Sequence, residues 1–175
     1  MHAEPRPGDM PRPRPRLIAS AAPIRDRRYE DITDGPPVST IMSRDLITIA
    51  SSATLGEAHD LMATAHVHHL LVEDRGQVVA VLSDRDLLRN LSPYAGTANA
   101  QRRDDDTMRR AVFHAATFRL LTVRQDACVQ EVAALFVEHA ISCVPVVDDD
   151  DSVVGIVTTR DLLRGMVQCV LPPPA

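Results

Sequence analysis

The sequence predicts an α+β fold made of two β-α-β-β-α repeats packed as a pseudo-twofold pair. Three observations carry this reading. Asp45-Leu46-Ile47-Thr48-Ile49 aligns with Arg119-Leu120-Leu121-Thr122-Val123 at an offset of 74, and the segment 79–89 aligns with 154–164 at an offset of 75. The alignment needs one single-residue shift, and it falls inside the acidic turn Asp148–Asp151. Each copy also runs through the same order of apolar periodicities. Finally, a unit of about 55 residues buries too little surface to close a core well by itself, and pairing two copies removes that problem.

Each copy opens on a short apolar strand, at about 46–50 and 120–124. An amphipathic helix follows, with the stripe Leu55, Ala58, Leu61, Met62, Ala65 in copy one and Val129, Val132, Leu135, Phe136, Ala140 in copy two. Thr54 with Glu57 three residues on has the form of a helix N-cap. Two strands then form a hairpin, 69–73 with 77–82 and 143–147 with 152–157, joined by Asp74-Arg75-Gly76 in one copy and by the four aspartates in the other. A last helix starts near Asp84 or Thr159 and ends near Leu91 or Val167. These boundaries divide the chain into a Pro/Arg-rich leader expected to be disordered (1–30), repeat 1 (36–91), a loop-like linker (92–106) and repeat 2 (107–170). A helix is expected around Thr107–Ala116, re-entering the fold as Val38–Ser43 does before copy one.

Composition narrows the function. Residues 1–30 hold seven arginines against four acids, a charge of +3, whereas the remaining 145 residues carry −8 of the total −5. An acidic body is a poor match for a nucleic-acid backbone, and five Phe and Tyr residues with no Trp make no stacking platform for single strands. No apolar run reaches the ~20 residues of a membrane span, and the arginines at the N-terminus precede no apolar signal segment. Cys128, Cys143 and Cys169 are odd in number and lack CxxC spacing, which suits a reducing cytoplasm better than a disulfide scaffold or a structural zinc.

The phrases Gly155-Ile156-Val157-Thr158-Thr159-Arg160-Asp161-Leu162-Leu163 and Val81-Leu82-Ser83-Asp84-Arg85-Asp86-Leu87-Leu88 resemble the cystathionine β-synthase (CBS) domain. Ile141-Ser142-Cys143-Val144-Pro145-Val146-Val147-Asp148 and Leu46-Ile47-Thr48-Ile49 add to the likeness, which covers about residues 36–170 as a tandem pair, a Bateman module. Copy one departs at Leu71, where copy two has Pro145, and at Ala80, where copy two has Gly155. The resemblance implies a regulatory module rather than an enzyme. Such pairs bind AMP, ADP, ATP or S-adenosylmethionine between their copies, associate as homodimers, and signal occupancy to a regulated protein that the sequence does not identify. A ligand-free interaction scaffold is the alternative. No nucleophile–base pair, Gly-rich phosphate loop or metal ligand set argues for turnover.

The hydroxyl-x-x-Asp pattern of Ser83 with Asp86, and of Thr158 with Asp161, admits two readings. An ionised carboxylate accepts both hydroxyl protons of a ribose diol, with the preceding Ser or Thr bonding the same sugar. The same spacing is a helix capping box that requires no ligand. Thr48 and Thr122 occupy equivalent places in the first strands, which the resemblance assigns to the adenine and ribose pocket; Thr is also simply a good strand residue. Arg85 and Arg160 could meet phosphate or pair with surface acids. His68 and His69 stand where the resemblance puts basic residues that meet a ligand phosphate, and Cys143 holds the equivalent place in copy two. His59, His66, His68 and His69 cluster in sequence, but no cysteine or carboxylate is spaced to complete a metal tetrahedron. His66 and His68 are expected to share a strand face with His69 turned away.

Overall fold

The computed structural model describes residues 16–17 and 35–170, which fall into two compact units. In unit 1, β2 (Thr48–Ala50), α1 (Leu55–Ala65), β3 (His69–Asp74), β4 (Gln77–Ser83) and α2 (Asp84–Asn90) follow one another, and α3 (Arg102–Met108) comes later in the chain. In unit 2, β5 (Leu121–Arg124), α4 (Val129–His139), β6 (Cys143–Val147), β7 (Val153–Thr158) and α5 (Thr159–Val170) repeat that order, and β1 (Arg16–Leu17) joins their sheet. Each sheet has the same design. The first strand of the copy runs parallel to the second, and the second pairs antiparallel with the third.

The helices begin where capping chemistry starts them. Thr54 Oγ1 accepts from the Glu57 N–H at 3.2 Å, and Glu57 accepts from the Thr54 N–H at 2.7 Å, so two orphan amides of α1 are satisfied reciprocally. These bonds hold the Glu57 carboxyl below the usual carboxylate range. The apolar stripe of α1 buries Leu55, Ala58 and Met62 against Leu70, Val72, Ala80 and Leu82 of the sheet. In unit 2, Val132, Leu135 and Phe136 of α4 pack on Val123, Val144, Val146 and Val157. Ala140 leaves the stripe: it is exposed and terminates α4 in the left-handed region at φ 51°, just as His66 terminates α1 at φ 53°.

Neither core is closed by its own copy alone. Val112, which precedes copy two in the chain, is fully buried in unit 1, and Val38, which precedes copy one, is fully buried in unit 2. The backbone repeats this reciprocity bond for bond. Val112 N–H donates to Ala53 C=O at 2.7 Å and Val38 N–H to Ala127 C=O at 2.8 Å. Leu55 donates to Arg110 at 2.8 Å, and Val129 to Pro36 at 3.0 Å. Thr117 forms a bridge with Val81, and Ser43 forms the equivalent bridge with Ile156. Sequence order and packing therefore divide the chain differently: 35–46 completes unit 2, and 107–120 completes unit 1. The sheet and helices of each copy leave part of the core open, and each arm fills the part that it reaches.

The Ala80/Gly155 difference is a packing accommodation to these arms. A Cβ on Gly155 would stand 2.5 Å from Met42 Sδ and 3.3 Å from the Ser43 carbonyl oxygen. In unit 1 the arm residue equivalent to Met42 is Ala116, and the strand position keeps its methyl as Ala80. A large arm residue meets glycine, and a small arm residue accompanies alanine.

Two expectations change. The linker contains α3 rather than being only loop, and the expected helix around Thr107–Ala116 is reduced to a single 3-10 turn, Val112–His114. The Gln101 N–H donates to Asp104, the Ser92 hydroxyl donates to the same carboxylate at 2.7 Å, and both hold its pKa below the ordinary value. Asp104 and Asp105 thus lie in the first turn, where the helix dipole favours negative charge, so the charge run starts a helix that its polarity had disguised. In the leader, Arg16–Leu17 forms β1, paired parallel with Leu121–Thr122 of β5; the rest of the leader lies outside the described residues.

Gly155→Ala is expected to destabilise the protein by about 1–3 kcal/mol through overpacking against Met42. In a denaturant double-mutant cycle, Met42→Ala should recover at least ~0.5 kcal/mol of that loss as a coupling energy. Additive losses would remove Met42 as the cause.

Candidate functional site

The register gathers the candidate residues of each copy at one end of its sheet. In unit 1, β2 starts at Thr48, β3 starts at His69, and His69 pairs with Ser83 at the end of β4. In unit 2, Thr122 is the second residue of β5, and Cys143 at the start of β6 pairs with Thr158 at the end of β7. Helix α2 or α5 begins at that same end, which brings the carboxylate into the group.

Both hydroxyl–carboxylate pairs form capping boxes. Thr158 Oγ1 donates to Asp161 Oδ2 at 2.6 Å, and the Thr158 N–H donates to the same oxygen at 2.8 Å. Ser83 Oγ and Ser83 N–H contact Asp86 Oδ2 at 2.6 and 3.0 Å. The capping reading is therefore realised in both copies. It does not exhaust the carboxylates, because an ionised carboxylate offers about four lone-pair sites and the box takes only those on one oxygen. The other oxygen of Asp161 has Arg164 Nη1 at 3.7 Å, and Asp161 is only 5% exposed. What the box adds is rigidity: each carboxylate is held in a single orientation before anything binds.

The first-strand threonines differ between copies. Thr48 is exposed, whereas Thr122 is 1% exposed. Among the described residues, Thr122 Oγ1 is a buried side-chain oxygen with no hydrogen-bond partner. Leaving a buried hydroxyl unpaired costs about 1–3 kcal/mol, and such groups are uncommon in folded proteins.

The histidines do not share a strand face as expected, because β3 begins only at His69. His66 is the exposed cap of α1, and His68 lies just before the strand, its Nδ1 3.0 Å from Asp84 Oδ2. The Asp84 N–H donates back to the His68 carbonyl, closing a two-bond link from strand start to helix start. In unit 2 the corresponding link is Thr159 N–H to the Ser142 carbonyl, with no imidazole. Among the described residues no three His, Cys, Asp or Glu side chains are grouped to hold a metal ion. Burial holds the His69 pKa below its ordinary value, and the neighbouring His68 and Arg85 add to that; Asp84 and Asp86 oppose it. Arg85 and Arg160 are exposed on the first turns of α2 and α5. Cys128 is buried at the N-cap of α4, its thiol donating to Gln130 Oε1 at 2.8 Å, and Cys143 is half-buried at its strand start.

With this geometry in place, comparison with known sequences is decisive: the CBS domain matches residues 38–93 and 106–168. The chain belongs to the CBS-domain family. Two solved CBS proteins share its fold and about a quarter of its residues. One is the CBS-domain pair of protein MJ0100 in complex with 5′-methylthioadenosine and S-adenosyl-L-methionine (28% identity, 76% of this chain and 97% of that one, TM-score 0.63). The other is CBSX2 in complex with AMP (27% identity, 78% and 100%, TM-score 0.64). A curated relative, the L-aspartate semialdehyde sulfurtransferase of Methanocaldococcus jannaschii, is 31% identical over 128 residues. The match spans 73% of this chain but 22% of that enzyme, and the next two curated relatives, also enzymes, are covered to 24% and 22%. The enzyme names thus belong to much longer proteins in which the CBS pair is a small part. No helix among the described residues of the CBS pair is long and apolar enough to cross a membrane.

Sequence reasoning missed the orphaned Thr122 hydroxyl and the His68–Asp84 link. Only the second had a visible signal, a histidine sixteen residues before an aspartate in a strand–turn–strand–helix segment.

A pH test follows from His69. Its folded pKa is depressed, so near and below the unfolded value of about 6.5 the unfolded chain binds more protons, and stability is lost as pH falls. Denaturation midpoints at pH 7.5 and pH 5.5 should converge more closely in His69→Gln than in the wild type. An unchanged pH dependence in the variant would show that other histidines carry it.

Proposed function

We propose that this CBS pair is a regulatory module that senses an adenosine-containing ligand, of the class of AMP, ADP, ATP or S-adenosylmethionine, and passes its occupancy to a partner protein. The observation that carries this reading is the buried, unpartnered Thr122 hydroxyl at the sheet end where Thr158 and Asp161 stand. A sugar or base edge would supply the hydrogen bond that Thr122 lacks. Asp161, pre-oriented by its capping box, would accept from a ribose diol through the oxygen the box leaves unused, a charge-assisted bond worth about 1.5–3 kcal/mol. That CBSX2 was solved with AMP, and the MJ0100 pair with 5′-methylthioadenosine and S-adenosyl-L-methionine, supports the ligand class. Unit 1 repeats the hydroxyl–carboxylate pair with Ser83 and Asp86 near an exposed Thr48, and the residues offered to a ligand phosphate are His68, Arg85 and the N–H of His69, whose imidazole burial holds toward its neutral form. Arg160 offers the same in unit 2. In this reading the chain performs no catalysis itself, works in the cytoplasm and binds no nucleic acid.

A second reading, a scaffold that works without ligand, is favoured by the exposed apolar side chains of the last helices. Leu88 on α2 and its repeat equivalent Leu163 on α5 are 78% and 58% exposed, with Met166 beside the latter. Exposed aliphatics at matched positions suit association of two copies, and a homodimer is part of both readings.

A thermal-shift panel of AMP, ADP, ATP, 5′-methylthioadenosine, S-adenosylmethionine and NAD separates the readings. A ligand at 100 times its Kd should add about 2.7 kcal/mol of stability, and a flat panel favours the scaffold.

Thr122→Val tests the carrying observation in two directions at once. Removing an unpaired buried hydroxyl should leave stability unchanged or raise it by up to ~1 kcal/mol, while adenylate binding weakens about tenfold. A variant that loses stability and binds normally would show that Thr122 is structural.

A further inference from the structure

The repeat makes Thr48 and Thr122 equivalent, yet one is exposed and the other is almost completely buried. One difference between the sheets at this place is the outer edge of the first strand. The outer edge of β5 is paired with β1, Arg16 opposite Leu121 and Leu17 opposite Thr122, whereas among the described residues no strand pairs with the outer edge of β2. β1 lies parallel to β5 and is only two residues long. Its place in the sequence is telling. Pro11, Pro13 and Pro15, just upstream in the sequence, have no N–H to donate to a sheet ladder. Leu17-Ile18 is the single adjoining pair of large aliphatic residues within residues 1–30. The leader thus carries one short segment suited to a sheet edge, and that segment sits beside the threonine with the orphaned hydroxyl.

We propose that β1 is a strap that occupies the β5 edge at Thr122 and competes there with the adenosyl ligand, so that ligand binding and release of the leader are coupled. This rests on the ligand-sensing reading given above. The physical logic is an exchange of occupants. Docked, the strap saturates backbone groups of β5 but leaves Thr122 Oγ1 unsatisfied; a ligand in its place pairs that hydroxyl. A two-residue strand has few bonds to lose, so it is displaceable where a longer strand would not be. Release frees a leader with a charge of +3 from a body of opposite sign, and the state of the site becomes a state of the chain's N-terminus. Unit 1, whose β2 edge has no such strand among the described residues, would bind without this competition.

The test uses the full-length chain with Arg16→Pro and Leu17→Pro together, which removes both strand N–H donors and touches none of the proposed ligand contacts. Calorimetric titration with AMP and with 5′-methylthioadenosine should show the weaker of the two sites tightened about tenfold, as expected if the strap is docked about nine-tenths of the time. Thr48→Val introduced into both chains identifies the unit 1 site as the one it weakens, so that the other is read as the unit 2 site. Hydrogen exchange of the wild-type peptide containing Leu17 should accelerate at saturating ligand. Equal affinities in wild type and double-proline chains, or exchange unaffected by ligand, overturn the strap and leave the sensing function standing. Failure of both chains to bind either compound overturns the sensing function and the strap with it.

Discussion

Val38 and Val112 are the hinge of this structure, because each completes a hydrophobic core that its neighbours in sequence do not. The sheet and helices of each copy leave part of the core open. The chain solves this by lending each unit the arm that precedes the other copy. The matched bonds from Val112 to Ala53 and from Val38 to Ala127 show that the loan is part of the repeat. The strand starts and helix starts at the candidate sites inherit their positions from cores closed in this way.

The carboxylates at the sheet ends are oriented by the fold itself. Asp161 and Asp86 each spend one oxygen on a strand-to-helix junction and so cannot swing away from it. A sugar meeting either side chain would find an acceptor whose rotamer entropy has already been lost in folding. Capping therefore does not compete with the binding role proposed for the same residue. The copies diverge around this shared element: unit 1 adds imidazoles at the strand start, and unit 2 adds an orphaned hydroxyl and a flanking strand.

Much of this could be read from the chain because it depends on local pattern. The strands, the stripes of α1 and α4, and the Thr54–Glu57 cap follow from spacing alone, and the doubled phrase after each hairpin identified the family. What escaped depends on distant partners. No periodicity near Val38 indicates that it packs with Val144 and Val157, more than a hundred residues away. α3 escaped because Arg102–Asp106 is polar all round; its stability comes from Gln101 and Ser92 bonding to Asp104 rather than from an apolar face. The Ala80/Gly155 difference was visible, but its meaning was not, since Met42 lies in an arm on the other side of the first copy.

The exchanged arms also set a timetable for synthesis. When residues up to 91 have been made, unit 1 still lacks Val112 and the bridge from Thr117, so its sheet and helices are assembled around an open flank. The arm at 35–46, already made, has nothing to complete until β5, α4 and β7 exist. Both units therefore finish late and close together in time, despite being arranged one after the other in the gene's order. Chain closure over such separations raises contact order, slowing folding relative to two self-contained repeats. Cutting the chain within 92–106 would leave each fragment holding the arm that completes the other's core.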